Sequence, residues 1–242
     1  MKKTVIVVWL ALAMFVGVSP AFARISEAAR QALETLQSTS PSDTKTRHAA
    51  ALVLYHEGLR KEALEEWQNL IKTEPKNPEF HYRLGLAYFD SGQDEAAIDS
   101  FKKSIEFKPD FAEAHFELGN IYHDKADLDK ALEEWKTAEG FNAELPGLHR
   151  NIAVALHDKK RIDDAIDEYH KAINGKVSDP EAYVGLAAAL KEQKHYEEAV
   201  QALDSYIKAT PYTEKEAIDN ASAEIERIRK KQKGAVDDSS QS

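Results

Sequence analysis

The side chains able to do chemistry in this sequence recur at long, even intervals. His81, His115 and His149 stand 34 residues apart, and Asp90, Asp124 and Asp158 repeat with the same spacing. Imidazole and carboxylate are the materials of acid–base catalysis and of metal sites. Their spacing argues against both uses. Histidines one interval apart are too distant to share an ion, and no two histidines lie four residues apart, as a helical zinc pair requires. The chain has no cysteine, which removes thiolate nucleophiles, disulfides and the usual structural zinc sites. Nucleophile-elbow, zincin, P-loop, dinucleotide and haem-attachment motifs are all absent. The expectation is a protein that is not an enzyme and that needs no metal or cofactor. The three histidines are read as packing groups, each burying its ring while its polar tip stays bonded, with pH sensing as the alternative.

Residues in such even array must be positioned by a repeated element. Ala63, Ala97, Ala131, Ala165 and Ala199 recur every 34 residues without interruption. Four residues after each alanine comes a large side chain: Trp67, Phe101, Trp135, Tyr169, Leu203. A second apolar stripe precedes each alanine, as in Leu84-Gly85 with Tyr88 and Leu118-Gly119 with Tyr122. Both stripes have helical spacing. Between them lies a turn, marked by Gly58, Gly92, Ala126, Lys160 and Lys194. Pro75, Pro109 and Pro211 end units one, two and five, because proline cannot continue a helix interior. Each unit is therefore a helical hairpin.

The pattern Leu-Gly-x-x-Tyr, then Ala, an aromatic and Pro, at period 34, resembles the tetratricopeptide repeat (TPR), most closely over 78–111. The resemblance implies an all-α, right-handed superhelical solenoid. Five units are expected, at 44–77, 78–111, 112–145, 146–179 and 180–213. The period extends backwards through Ala29, Leu33 and Leu36, so 24–43 is read as a half repeat whose capping helix shows Glu27, Arg30, Glu34 and Gln37 to solvent. At the other end, with Thr213 as N-cap, residues 214–233 read as a capping helix carrying Ala217, Ile218, Ala221, Ile225 and Ile228 on one face. Residues 234–242 lack core-forming side chains and are expected to be disordered. The expected total is twelve helices.

Residues 1–23 differ from the rest: Lys2 and Lys3, an apolar run from Thr4 to Val18, then Ser19-Pro20-Ala21-Phe22-Ala23. This is the form of a Sec signal peptide cleaved after Ala23. The run is shorter than the roughly 20 residues that span a bilayer, so a periplasmic protein without stable membrane insertion is expected, with an uncleaved anchor facing the periplasm as the alternative. A net charge of −10 disfavours nucleic acid as a partner.

In the family resembled, one face of each first helix lines a concave groove. Counting within each unit at 100° per residue, positions 5, 9, 12 and 13 fall on that face. It carries Tyr55, Tyr82, Phe89 and Phe116, which read either as ligand anchors or as wedges between helices. Arg83, Asn120, His123, Arg150 and His157 belong to the same face, and Asp90, Asp124 and Asp158 make one edge acidic. Family members that grip acidic tails do so with lysine, arginine and asparagine. Here the matching positions hold His48, Leu52, Arg83, Glu113 and Glu117, and the two glutamates would repel a carboxylate. The expected ligand has apolar anchors and basic residues. The resemblance thus implies a protein-binding scaffold that holds a segment of another exported or envelope protein and assists assembly. A self-assembling array, with the C-terminal helix docking into a neighbouring chain, stays open as the alternative.

Overall fold

The computed structural model describes residues 25–176 and 179–240, with side chains up to residue 232; the expected signal peptide lies outside the described residues. Among the described residues there are twelve α-helices and no strand. The chain divides into two compact units between Phe107 and Lys108.

The first unit contains α1 (Glu27–Ser38), α2 (Thr44–His56), α3 (Arg60–Thr73), α4 (Pro78–Phe89) and α5 (Asp94–Phe107). Ser26 caps α1 by accepting from the Ala29 amide, and Asp43 and Asn77 cap α2 and α4 in the same way. Pro78 opens α4, where its missing N–H costs nothing. The hairpin α2/α3 closes over Ala51, Leu54, Ala63 and Trp67, all fully buried, and α1 adds Ala29 and Ala32 to that core. In α4/α5 a methyl group on Gly85 would stand 2.7 Å from the Phe101 ring. Glycine there is what lets the two helices cross so closely.

The second unit contains α6 (Ala112–Asp124), α7 (Leu128–Phe141), α8 (Leu148–Asp158), α9 (Ile162–Asn174), α10 (Glu181–Glu192), α11 (Tyr196–Ala209) and α12 (Lys215–Ser240). One continuous core runs from Ala131 and Trp135 to Ala221, Ile225 and Ile228 on α12. Thr213 does not cap α12. It lies inside a turn closed by the Glu214 amide on the Pro211 carbonyl, and the helix starts after it. The backbone of α12 also stays helical to Ser240, through residues expected to be disordered. No proline interrupts Gly234-Ala235-Val236, and each further helical residue adds a backbone hydrogen bond once the helix is nucleated.

All five hairpin turns share one geometry. Gly58, Gly92, Ala126, Lys160 and Lys194 have φ between 58° and 81°. In each, the next residue's amide bonds back to the first helix: Leu59 to Leu54, Gln93 to Tyr88, Asp127 to Tyr122, Arg161 to Leu156, His195 to Leu190. This is the six-to-one closure of a Schellman turn. The first unit supplies glycine for the left-handed residue, whereas the second forces alanine or lysine into it.

Candidate peptide-binding face

The first helix of each hairpin carries the expected binding positions, and the second helix holds them from beneath. In the first unit Trp67 of α3 donates its indole N–H to His48 Nδ1 at 3.2 Å. Burial pulls His48 below its ordinary pKa, which keeps that nitrogen an acceptor. Tyr55 packs edge-on to Trp67 at 5.6 Å and donates its hydroxyl to Asp90 at 2.6 Å. Arg60 reaches the same carboxylate at 3.4 Å. Asp90 is therefore already engaged.

Tyr82 is 9% exposed and lies against Phe101 at 5.8 Å, with the Arg83 guanidinium 5.2 Å from its ring. It is a wedge within its hairpin rather than an anchor. Arg83 donates to Glu79 at 2.6 Å. Phe89, at the last turn of α4, stays half-buried, as do Leu52 and Leu86.

In the second unit Trp135 of α7 plays the part of Trp67. Its N–H is shared between the Phe116 carbonyl and Asn120 Oδ1, each at 3.1 Å. Asn120 also accepts from Asn151 at 3.0 Å and donates to Glu117 at 3.0 Å. It is thus built into the frame and not available to a ligand without breaking these bonds. His123 lies 5.7 Å from the Trp135 ring, with Nδ1 3.8 Å from Asp124. Phe116 remains half-buried. Arg150 donates to Asp179 at 2.7 Å, and His157 bonds Glu192 at 3.1 Å with Lys160 adding a contact at 3.3 Å. His157 and Lys160 hold the Glu192 carboxyl below its ordinary range. Asp124 and Asp158 are exposed. The field of Asp158 is felt at the ring beneath: burial, reinforced by this carboxylate, pushes Tyr169 up to about 12.

Within each unit the structure therefore separates the expected residues into two sets. Tyr55, Tyr82, Arg83, Asp90, Asn120, Arg150 and His157 are committed to internal contacts. Phe89, Phe116, His123, Asp124 and Asp158 keep solvent access. His48 was expected on this face; the supporting Trp67 and Trp135 were not. Gly185 was also missed: a methyl group there would stand 2.3 Å from Tyr169, so a glycine present only in the fifth repeat admits the ring from the fourth. The one available signal was a glycine inside a helix, which costs stability unless something needs the space.

Of the histidines at position 4, His81 and His115 bury their rings as expected and His149 is partly exposed. His81 Nε2 meets the Pro75 carbonyl at 2.8 Å. His115 Nε2 meets the Pro109 carbonyl at 3.0 Å and its Nδ1 meets Glu134 at 2.7 Å, while His149 Nδ1 meets Glu168 at 2.9 Å. Position 4 of the first repeat holds Arg47 instead, which takes Glu66 with two bonds of 2.6 and 2.5 Å.

Models of the TPR repeat match residues 51–92, 85–126 and 161–213, together more than half of the chain. The chain belongs to the TPR family. Among solved structures, this TPR chain resembles MamA at 24% identity over 64% of its own length and 91% of that chain, with a TM-score of 0.60. It resembles PilF of Pseudomonas aeruginosa at 12% identity over 76% and 91% of the two chains, TM-score 0.64. YrrB, described as a TPR protein with an unusual peptide-binding site, is similar at 17% identity over 81% and 98%, TM-score 0.60. At these identities the likeness establishes the fold: an all-α solenoid of TPR type. No curated protein matches the chain in sequence.

Proposed function

We propose that this TPR protein is a non-catalytic scaffold that binds a segment of another exported protein along the first helices of its repeats, and thereby assists assembly in the cell envelope. The observation that carries this reading is apolar surface left over on helices whose cores are already complete. In the first unit Ala51, Leu54 and Ala87 are fully buried, while Leu52, Leu86 and Phe89 on the same two helices are only half-buried. In the second unit Phe116 and Val154 are half-buried and Val184 is 40% exposed. A helix apolar beyond what its own hairpin buries has surface to offer a partner. Exposed Asp124 and Asp158 favour a segment containing lysine or arginine. Export is part of the proposal, motivated by residues 1–23; no described helix is long and apolar enough to cross a membrane. YrrB, with its peptide-binding site, supports the class of ligand by analogy only.

Affinity capture from periplasmic extract supplies the partner, and calorimetry on the captured segment tests the face. Replacing Phe89 and Phe116 together by alanine should weaken binding by about 2 kcal/mol or more if they act as hot spots. Asp124→Asn should mainly slow association and blunt its salt dependence. Full affinity in the double variant, with loss on substituting exposed Lys102 and Lys136 of the second helices, would falsify the assignment of the face. N-terminal sequencing that returned Met1 rather than Arg24 would remove export.

A further inference from the structure

The joint between the third and fourth repeats departs from its neighbours at one position. Position 28 of the repeat is isoleucine in four units, Ile71, Ile105, Ile173 and Ile207, but Glu139 in the third. Ile71, Ile173 and Ile207 pack against the cores of their units. A carboxylate at such a half-buried place loses that packing and must find a partner for its charge.

What it finds is a set of donors from three helices. Glu139 Oε1 on α7 lies 3.9 Å from His149 Nδ1 on α8, and that nitrogen lies 2.9 Å from Glu168 Oε2 on α9. The three donor atoms are all within 4.8 Å of one another. Donors bound at about 2.1 Å around a tetrahedral zinc ion stand roughly 3.4 Å apart. The two separations from His149 Nδ1 straddle that value, so rotation of the two glutamate side chains would close the set. Beside His149 lies a cavity of about 20 Å³ that is also lined by Lys171 and Leu148. That is room for one water molecule.

A single ammonium group serves both carboxylates: Lys171 Nζ is 2.8 Å from Glu168 and 3.4 Å from Glu139. Two carboxylates and one ammonium sum to −1 at this joint. Lys171 is half exposed and free to swing into water.

We propose that Glu139, His149 and Glu168 form a binding site for a divalent transition ion of the zinc class, with water as fourth ligand and Lys171 as the internal cation it displaces. One imidazole and two carboxylates are donors suited to zinc, cobalt or manganese. The ion would clasp α7, α8 and α9 at the joint where Ala143 stands in place of the closing prolines Pro75 and Pro109. No metal was expected from the sequence, because the histidines stand a whole repeat apart and the carboxylates are expected on solvent faces. The donors here are one histidine and two glutamates drawn from different helices.

The test is calorimetric titration of the full chain with zinc chloride, paired with the visible spectrum of the cobalt-loaded protein. One ion per chain should bind with micromolar affinity. Glu139→Ile restores the residue of the other four repeats, so it should keep the fold and weaken binding at least about tenfold. His149→Gln should do the same if Glu139→Ile proves unstable. Lys171→Gln removes the competing cation and should tighten binding by about tenfold. Absence of binding below about 100 μM, or equal affinity in wild type and both ligand variants, would place any bound zinc on surface histidines and overturn the site.

Discussion

The two compact units meet the same geometric demands with different chemistry. In the first repeat of the first unit, position 4 is Arg47, permanently charged and held in two bonds by Glu66, whose carboxylate is almost fully buried, while His81 of the next repeat meets the Pro75 carbonyl. In the second unit, the same rung is His115 with Glu134. Both partners of His115, Glu134 and the Pro109 carbonyl, are acceptors, so both ring nitrogens must donate and the imidazolium fits best. The turns differ in parallel: Gly58 and Gly92 in the first unit, Ala126, Lys160 and Lys194 in the second, with the same positive φ. The frame of the repeat is thus a backbone property. Side chains at its rungs and turns can be exchanged, but each exchange alters how stability responds to charge, pH and strain.

The rungs should break apart most clearly when their acids are removed. Glu66→Ala strands a buried guanidinium that cannot deprotonate, and should cost about 3–5 kcal/mol. Glu134→Ala leaves a histidine that becomes neutral and keeps its bond to Pro109, so the loss should stay near 1 kcal/mol. Hydrogen exchange resolved by helix is the right measurement, because repeat arrays can open locally. Equal losses would mean that Arg47 is as well served by the carbonyls of Leu36 and Thr39, which it also bonds.

At the turns the comparison can be inverted. Lys160→Gly should relieve the left-handed strain and add about 1 kcal/mol to the second unit, while Gly92→Lys should take a similar amount from the first. Chemical denaturation of the two variants checks the opposite signs. A loss for Lys160→Gly would show that the lysine side chain, through Glu192, outweighs its backbone.

The smallest effect should be the pH response. Burial pulls His115 down, but its bonds to Glu134 and Pro109 push it further up, so it ends above the ordinary value of 6.5. A proton bound more tightly by the folded form stabilises it fully below about pH 6.5, and the contribution fades as pH rises through the higher folded value. Between pH 6 and pH 8 protection of α6 and α7 should therefore fall, and His115→Gln should flatten the profile. Among the described residues of the first unit no histidine is paired with a glutamate at this rung: Arg47 stays charged throughout this range, and His81 meets a backbone carbonyl.

The helices and turns were legible in the sequence because they rest on local, repeated signals. A stripe of helical spacing recurs every 34 residues, and position 15 could be recognised as the turn even where lysine replaced glycine. The pairings were not. Arg47 and Glu66 are 19 residues apart on two different helices, and only their crossing brings them together. For the same reason a helical wheel grouped Tyr82 with Phe89, although Phe101 covers the first and leaves the second half open. Asn120 read as a ligand contact because its polarity is visible in the sequence and its bond to Trp135 is not. Steps of 100° per residue assign a face but carry no information on what the neighbouring helix places against it.

The tryptophans that support the first helices also give the molecule an optical address for each unit. Of three in the chain, Trp67 belongs to the first unit and Trp135 to the second, with 0% and 1% of their surfaces exposed. Each indole sits in an apolar enclosure and is fixed by its own hydrogen bond, to His48 in one case and to Phe116 and Asn120 in the other. Opening of a unit would hydrate its indole and shift its emission to longer wavelength. In a variant that also carries Trp9→Phe, replacing Trp67 or Trp135 by phenylalanine leaves a single tryptophan, so the opening of either unit can be followed separately by light alone.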